Sequence, residues 1–259
     1  MKEQNSKIDV KEVLLKSLEF YKKNFKYLIV FSSIYVANEA FWIVLEFVYE
    51  AFSRQHTSYV LLIQMGSWIF LMLIWAIIMI IFGPRFLLSI FVKIKAAMNG
   101  RMISLEQAYR ETKGKYWIAF GCILFLFIVN ELPLLILITL NHYFSEVLLA
   151  SLYVALINSL FYLLLPLIAL SKVEEISYIG SSISLIKGNY QEIFKLYLLT
   201  TTLLFFSYSL ASMVSTSMAY NVVLSMMYII LLFFIFPFSQ VVVVVVYKKL
   251  TGETSSDEI

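Results

Sequence analysis

Aspartate is nearly absent from this 259-residue chain: Asp9 and Asp257, both near the ends, are the only two. That shortage disfavours membrane phosphotransferases, which hold metals with carboxylate clusters. The single cysteine, Cys122, rules out an intrachain disulfide and leaves a packed or lipid-facing thiol. Only two histidines occur, His56 and His142, and neither has a second ligand spaced for a metal. The eight glycines form no phosphate-binding loop, and no serine stands between glycines in the hydrolase pattern. Charged residues are only 14% of the chain, 61% is hydrophobic and the mean hydropathy is +0.85. A soluble domain, where the apolar share is about 45–50%, is thereby excluded, as is a disordered chain.

What the chain does have is apolar length. A membrane-spanning helix needs about 20 apolar residues, and six runs qualify, at about 26–49, 60–83, 117–140, 144–170, 193–214 and 219–246. The charged stretch before the first run, with no small-residue cleavage site after it, argues against a removed signal peptide. Lysine and arginine gather in cytoplasmic loops. Of the twenty here, only Arg54 falls in an external loop of this six-span arrangement. Both termini are therefore expected in the cytoplasm of a multi-pass cell-membrane protein, with His56 and His142 outside.

The cytoplasmic segments resemble one another: Lys22-Lys23-Asn24-Phe25, Lys113-Gly114-Lys115-Tyr116 and Lys187-Gly188-Asn189-Tyr190. The first and third follow apolar residues recurring at helical spacing, Val10, Val13, Leu14, Ser17, Leu18 and Tyr21, then Ile176, Ile179, Ile183 and Ile186. Ser104 with Gln107, Ser171 with Glu174, and Ser6 with Asp9 have capping-box spacing, while Gly114 and Gly188 suit a left-handed stop. Each such helix is expected to lie flat on the inner leaflet, with Lys22, Lys23, Arg85, Lys113, Lys115 and Lys187 on lipid headgroups and Phe25, Tyr116, Trp117 and Tyr190 in the headgroup layer. Pro84, Pro166 and Pro237 are expected to kink the second membrane helix of each unit. The fold expected is an all-α integral membrane protein in one domain. It has six transmembrane helices in three parallel repeats of an interfacial amphipathic helix plus a membrane hairpin, at about 6–95, 96–170 and 171–249, and a polar tail at 250–259.

The stretch from Glu174 to Phe194, with Ser182, Leu185, Lys187-Gly188-Asn189-Tyr190 and Ile193-Phe194, resembles a pattern in two related bacterial groups. They are the membrane domain of glycerophosphodiester phosphodiesterases and the YciC-like inner-membrane proteins. The resemblance implies a six-helix membrane bundle. In the phosphodiesterases that bundle accompanies a separate catalytic domain, and only the polar tail follows Lys249 here, so no catalytic residue carries over.

An ionised side chain costs about 2.5–3.5 kcal/mol at the bilayer centre, so polar residues inside the spans stand out. Glu39 lies about 20 Å beyond Lys26 and Glu131 about 22 Å beyond Tyr116 at the helical rise, each preceded by asparagine, Asn38 and Asn130. Asn158 sits within the fourth run. These five residues form a candidate intramembrane polar site, and two readings stay open: hydrogen bonding between helices, or a ligand or proton site. Glu46 and Glu50 suggest an acidic external face able to attract a cationic peptide. The belt from Lys93 to Lys115 is basic, and anionic lipid is its nearest partner. Nucleic acid is not expected, because these residues already face a membrane, and neither a metal nor another cofactor is expected. The sequence thus points to a non-enzymatic membrane scaffold, accessory or protective factor, including immunity to a membrane-active peptide; the alternative is a transporter or exporter of a small amphiphile, lipid or peptide. A membrane protein or peptide joins the lipids as an expected partner.

Overall fold

The computed structural model describes residues 7–53, 58–140, 153, 155–171, 177–200 and 218–253. Its first helix starts at Asp9, whose Oδ1 accepts from the backbone N–H groups of Lys11 at 2.9 Å and Glu12 at 3.4 Å, two of the donors a helix start leaves open. Asp9 itself thus caps α1 (Val10–Ser53), and Ser6 lies outside the described residues. At Asn24 the backbone leaves helical geometry (φ −110°, ψ 16°), and the Asn24 amide donates to Phe20 O at 3.0 Å. The amphipathic stretch and the first apolar run are therefore one helix with a break between them.

Helix α2 (Ser58–Met98) continues unbroken through Pro84, well past the expected end of the span near residue 83. It stops at Gly100, whose φ of 71° only glycine adopts cheaply. Arg101 N–H reaches back to Ala96 O at 2.9 Å and Gly100 N–H to Ala97 O at 3.0 Å, closing the helix in a Schellman turn. The short α3 (Leu105–Glu111) begins with the expected capping box: Ser104 Oγ accepts from Gln107 N at 3.1 Å, and Ser104 N donates to Gln107 Oε1 at 2.8 Å. Gly114, at φ 93°, then lets the chain turn by 90° into α4 (Tyr116–Leu140).

Helix α5 is described at 155–160, and a turn at 161–163 separates it from α6 (Leu164–Leu170). Pro166 sits in the first turn of α6, where its missing N–H leaves nothing unpaired. Pro84 and Pro237 lie inside continuous helices, so the chain breaks beside only one of the three prolines. Ser171 does not start the next helix as expected. Its N–H closes α6 on Leu167 O at 3.0 Å, and the cap of α7 (Tyr178–Ile186) is Ser177, whose Oγ accepts from Gly180 N at 3.1 Å. Glu174 lies outside the described residues. Gly188 gives no left-handed stop either, because a right-handed 3₁₀ turn, Lys187–Asn189, carries the chain into α8, described at 190–200. Last comes α9 (Met218–Thr251). The valines at 241–246 in it are β-branched and weak helix formers in water, but an apolar setting makes internal backbone pairing obligatory and holds them helical.

The proline-bearing helices form the centre: α2 packs on α6 and α9, and α6 on α9. Leu88, Ile90 and Ile94 of α2, Leu164 and Ile168 of α6, and Val241, Val242 and Val244 of α9 make the tightest core. Around it, Ser17, Ala108 and Ser182 are wholly buried, as are Leu28, Ala119 and Ile193. Above this core α2 opens out, and Ile69, Phe70, Leu73, Ile77 and Phe82 are all exposed.

All regular structure among the described residues is helical. Among the described residues two stretches, Ile69–Met98 and Met226–Thr251, are long and apolar enough to cross a membrane, or three if α3 with Tyr116–Asn130 is one bent span. That is fewer than the six expected. The runs at 144–170 and 193–214, and the histidines, lie partly or wholly outside the described residues.

Candidate functional site

The polar residues singled out in the apolar runs fall into two helix pairs. Between α1 and α2, Asn38 Oδ1 accepts from Trp75 Nε1 at 2.8 Å, and the Trp75 ring stacks on Phe41 at 4.6 Å between centroids. Between α4 and α5, Asn130 Nδ2 donates to Asn158 Oδ1 at 2.9 Å. Asn130 is thus joined to Asn158, whereas Asn38 is held by an indole. Glu39, Glu131, Glu46 and Glu50 lie on helical backbone, but their side chains are outside the described residues.

The Asn130–Asn158 pair is one end of a longer polar seam. Tyr197 of α8 reaches the Asn158 amide. The Tyr162 ring meets Tyr197 edge-to-face at 6.1 Å, and the Tyr162 hydroxyl lies beside Thr200. Thr200 Oγ1 directs its proton to Leu196 O at 2.9 Å. Nearby, Ser159 Oγ donates to the Tyr190 hydroxyl at 3.1 Å, and that hydroxyl donates to Leu156 O at 3.2 Å. Two atoms of the seam have no hydrogen-bond partner although both are buried: Asn130 Oδ1 and the Tyr162 hydroxyl. Each such orphan costs about 1–3 kcal/mol. The tyrosines were not legible as site residues, since a tyrosine near a span boundary reads first as a headgroup anchor. The four-residue step from Asn158 to Tyr162, one turn along a helix face, was the available signal.

The lysines and arginine assigned to headgroups divide. Lys22, Lys23, Lys113 and Lys187 are exposed and free to meet phosphates. Lys115 is not: its Nζ donates to Ile168 O at 2.8 Å, Ala169 O at 3.1 Å and Ser171 O at 3.0 Å, closing the carbonyl end of α6. Burial holds its ammonium below the usual lysine range, with a smaller push from Lys95. Arg85 also turns inward, donating to Tyr109 O at 2.7 Å with its guanidinium 3.9 Å from the centre of the Tyr109 ring. Both charged groups are held by the backbone carbonyls and, for Arg85, the aromatic face of a packed neighbour.

Among the described residues four tyrosine hydroxyls donate to carbonyls of the apolar helices: Tyr153 to Val129 O at 3.3 Å, and three in or beside the lysine-rich segments. Tyr116 donates to Ile80 O at 2.9 Å, the carbonyl that Pro84, four residues on, leaves without its helical donor. Tyr21 donates to Phe234 O at 2.9 Å, one residue from the carbonyl freed by Pro237, and the third is Tyr190 to Leu156. Phe25 stacks on Phe234 at 5.7 Å, and Trp117 is 73% exposed, as a headgroup anchor would be.

Cys122 is buried, and among the described residues no three His, Cys, Asp or Glu side chains come together as a metal site. No family model, curated protein or solved structure matches this chain.

Proposed function

We propose that this chain is a non-catalytic, multi-pass protein of the plasma membrane that acts as a scaffold, accessory subunit or protective factor. The observation that carries the reading is α2: its inner part is core, while its outer part, from Ile69 to Phe82, exposes an apolar surface nearly all round. Such a surface fits lipid or another membrane component. The inner half of the bundle then anchors the fold, and the outer half presents itself to partners.

Within this proposal the chain is six spans in three parallel units, at about 6–95, 96–170 and 171–249, with both termini in the cytoplasm. Three features support it. In each unit a short helix passes through a break, at Asn24, at 112–115 and at 187–189, into an apolar helix. The wholly buried positions Ser17, Ala108 and Ser182, and again Leu28, Ala119 and Ile193, share one register when the three lysine-rich segments are aligned. The bonds of Tyr116 and Tyr190 run from their unit to the one before it, and that of Tyr21 in the first reaches the last, which suits a closed ring. The resemblance to the phosphodiesterase membrane domain and the YciC-like proteins implies the same bundle.

Immunity to a membrane-active cationic peptide is one form of this function, motivated by Glu46 and Glu50 near the external side. The second reading, transport of an amphiphile, lipid or peptide, is favoured by the break at 161–163 beside Asn158. The test is crosslinking of the tagged protein in its own membranes, followed by mass spectrometry of proteins and lipids. A stoichiometric protein or peptide companion is expected; gradient-driven movement of a retained amphiphile in vesicles would overturn the scaffold reading in favour of transport.

A further inference from the structure

We infer that the cleft between the start of α1 and the first turn of α8 seats the phosphate of an anionic phospholipid, with Lys7 and Lys11 as its charge partners. The inference deepens the membrane reading above and rests on it. One cavity of about 830 Å³ is lined by Lys7, Lys11, Leu14 and Leu15 on the α1 side and by Glu192 on the α8 side. That volume lies within the range of small-ligand pockets, about 300–1,000 Å³. Its two walls are tied together at the base, where the N–H of Ile8, only 3% exposed, donates to Asn189 Oδ1 at 2.8 Å in the 3₁₀ turn that leads into α8.

Both acids of the cleft are already engaged. Asp9, which also lines it, accepts from the N–H groups of Lys11 and Glu12, and Glu192 Oε1 pairs with Lys195 at 2.9 Å. Among the described residues neither Lys7 nor Lys11 has an ion-pair partner, whereas Lys16 and Lys249 share Glu12. The unmet charge is positive, and an anion answers it. Lys11, Leu14, Leu15 and Leu18 recur at three and four residues and so share one face of α1. Leu15 is 51% exposed and Leu18 38%, so an apolar strip follows the two ammonium groups along the helix. A free phosphate ion would leave that strip in water, while a phospholipid meets the lysines with its head and the leucines with its chain.

The test uses the full chain in nanodiscs of equimolar phosphatidylglycerol and phosphatidylcholine, with retained lipid counted by native mass spectrometry after detergent washing. One phosphatidylglycerol per chain is expected to survive in preference to phosphatidylcholine, and Lys7→Gln with Lys11→Gln lowers that retention several-fold. Lys22→Gln with Lys23→Gln makes the same change of charge outside the cleft and leaves it intact. Equal loss in the two double variants would put the lipid on the basic surface at large and overturn the inference. So would a wild-type chain that retains both lipids equally or neither, a result that needs no variant to fold. A photoreactive benzophenone in place of Leu15 identifies the occupant: a crosslink to phosphatidylglycerol supports the inference, and one to the chain's own acidic tail at 254–259 overturns it. Failure of the membrane reading is separate: the chain would then not incorporate into nanodiscs at all.

Discussion

Replacing Lys115 by methionine removes one ammonium and keeps the length of the side chain, and the structure sets the expected cost. Three carbonyls at the end of α6 lose their shared donor, at 2.8, 3.1 and 3.0 Å. A hydrogen bond to a charged group contributes about 1.5–3 kcal/mol and an orphaned buried carbonyl costs about 1–3 kcal/mol. The three bonds use the three N–H groups of one ammonium and share its single charge, so their contributions do not add, and releasing a half-buried charge offsets part of the loss. The net destabilisation expected is about 2–4 kcal/mol. The assay is thermal unfolding in detergent, followed by tryptophan fluorescence, with Lys113→Met at the neighbouring exposed lysine as control. The control should stay within about 0.5 kcal/mol of wild type. The effect of Lys115→Met should also be independent of anionic lipid, because its partners are protein carbonyls. Equal behaviour of the two variants, or a Lys115→Met effect that grows with phosphatidylglycerol content, would refute the reasoning and return Lys115 to the headgroups.

Tyr116→Phe should cost about 1 kcal/mol, and less in a Pro84→Ala background, where the backbone N–H restored at residue 84 can take the Ile80 carbonyl; additive effects in the double-mutant cycle would show that the two are not coupled. Ser104→Ala should lower stability by about 1 kcal/mol through loss of the α3 cap, whereas Ser171→Ala, at a position that caps nothing with its side chain, should change it little; the same melting curves decide. Hydrogen bonds from Lys249 and then Lys16 hold the Glu12 carboxyl below its ordinary value of 4.5. A depressed acid stabilises the fold above its unfolded pKa, so this contribution is present above pH 4.5 and fades as the pH falls below it. Because the pair is partly exposed the loss should stay under about 1 kcal/mol, and Glu12→Gln should flatten that part of the stability-against-pH curve.

The helical class and several helix ends were legible because they follow from local rules. Ser104 with Gln107 read as a capping box and formed one, and Gly114 read as a left-handed stop and adopted it. The positions that misled depended on tertiary contact. Ser171 has a serine's capping chemistry, but its backbone was already committed to finishing α6, and the cap passed to Ser177. Gly100 closes α2 with a Schellman turn, well past Pro84, where the apolar run ends in the sequence and no local signal carries the helix on. Lys115 and Arg85 read as headgroup anchors because charge at a span boundary usually is one; only packing brings the α6 carbonyls and the Tyr109 ring within their reach. For the candidate site, Asn130 and Asn158 stood out as amides in apolar runs. Tyr162, Tyr197 and Thr200 did not, because their partners come from other helices. The environments of Glu39 and Glu131 lie outside the described residues.

The most direct test of the three-unit membrane bundle is its topology, read by single-cysteine labelling of intact and permeabilised cells in a Cys122→Ser background. Cysteines placed at Thr57, His142 and Ser215 should react with a membrane-impermeant maleimide in intact cells. Cysteines at Ser6, Asn99, Lys172 and Ser255 should react only after permeabilisation. That alternation requires six crossings with both termini inside. Labelling of Asn99→Cys or Lys172→Cys from outside, or protection of His142→Cys in intact cells, would contradict it.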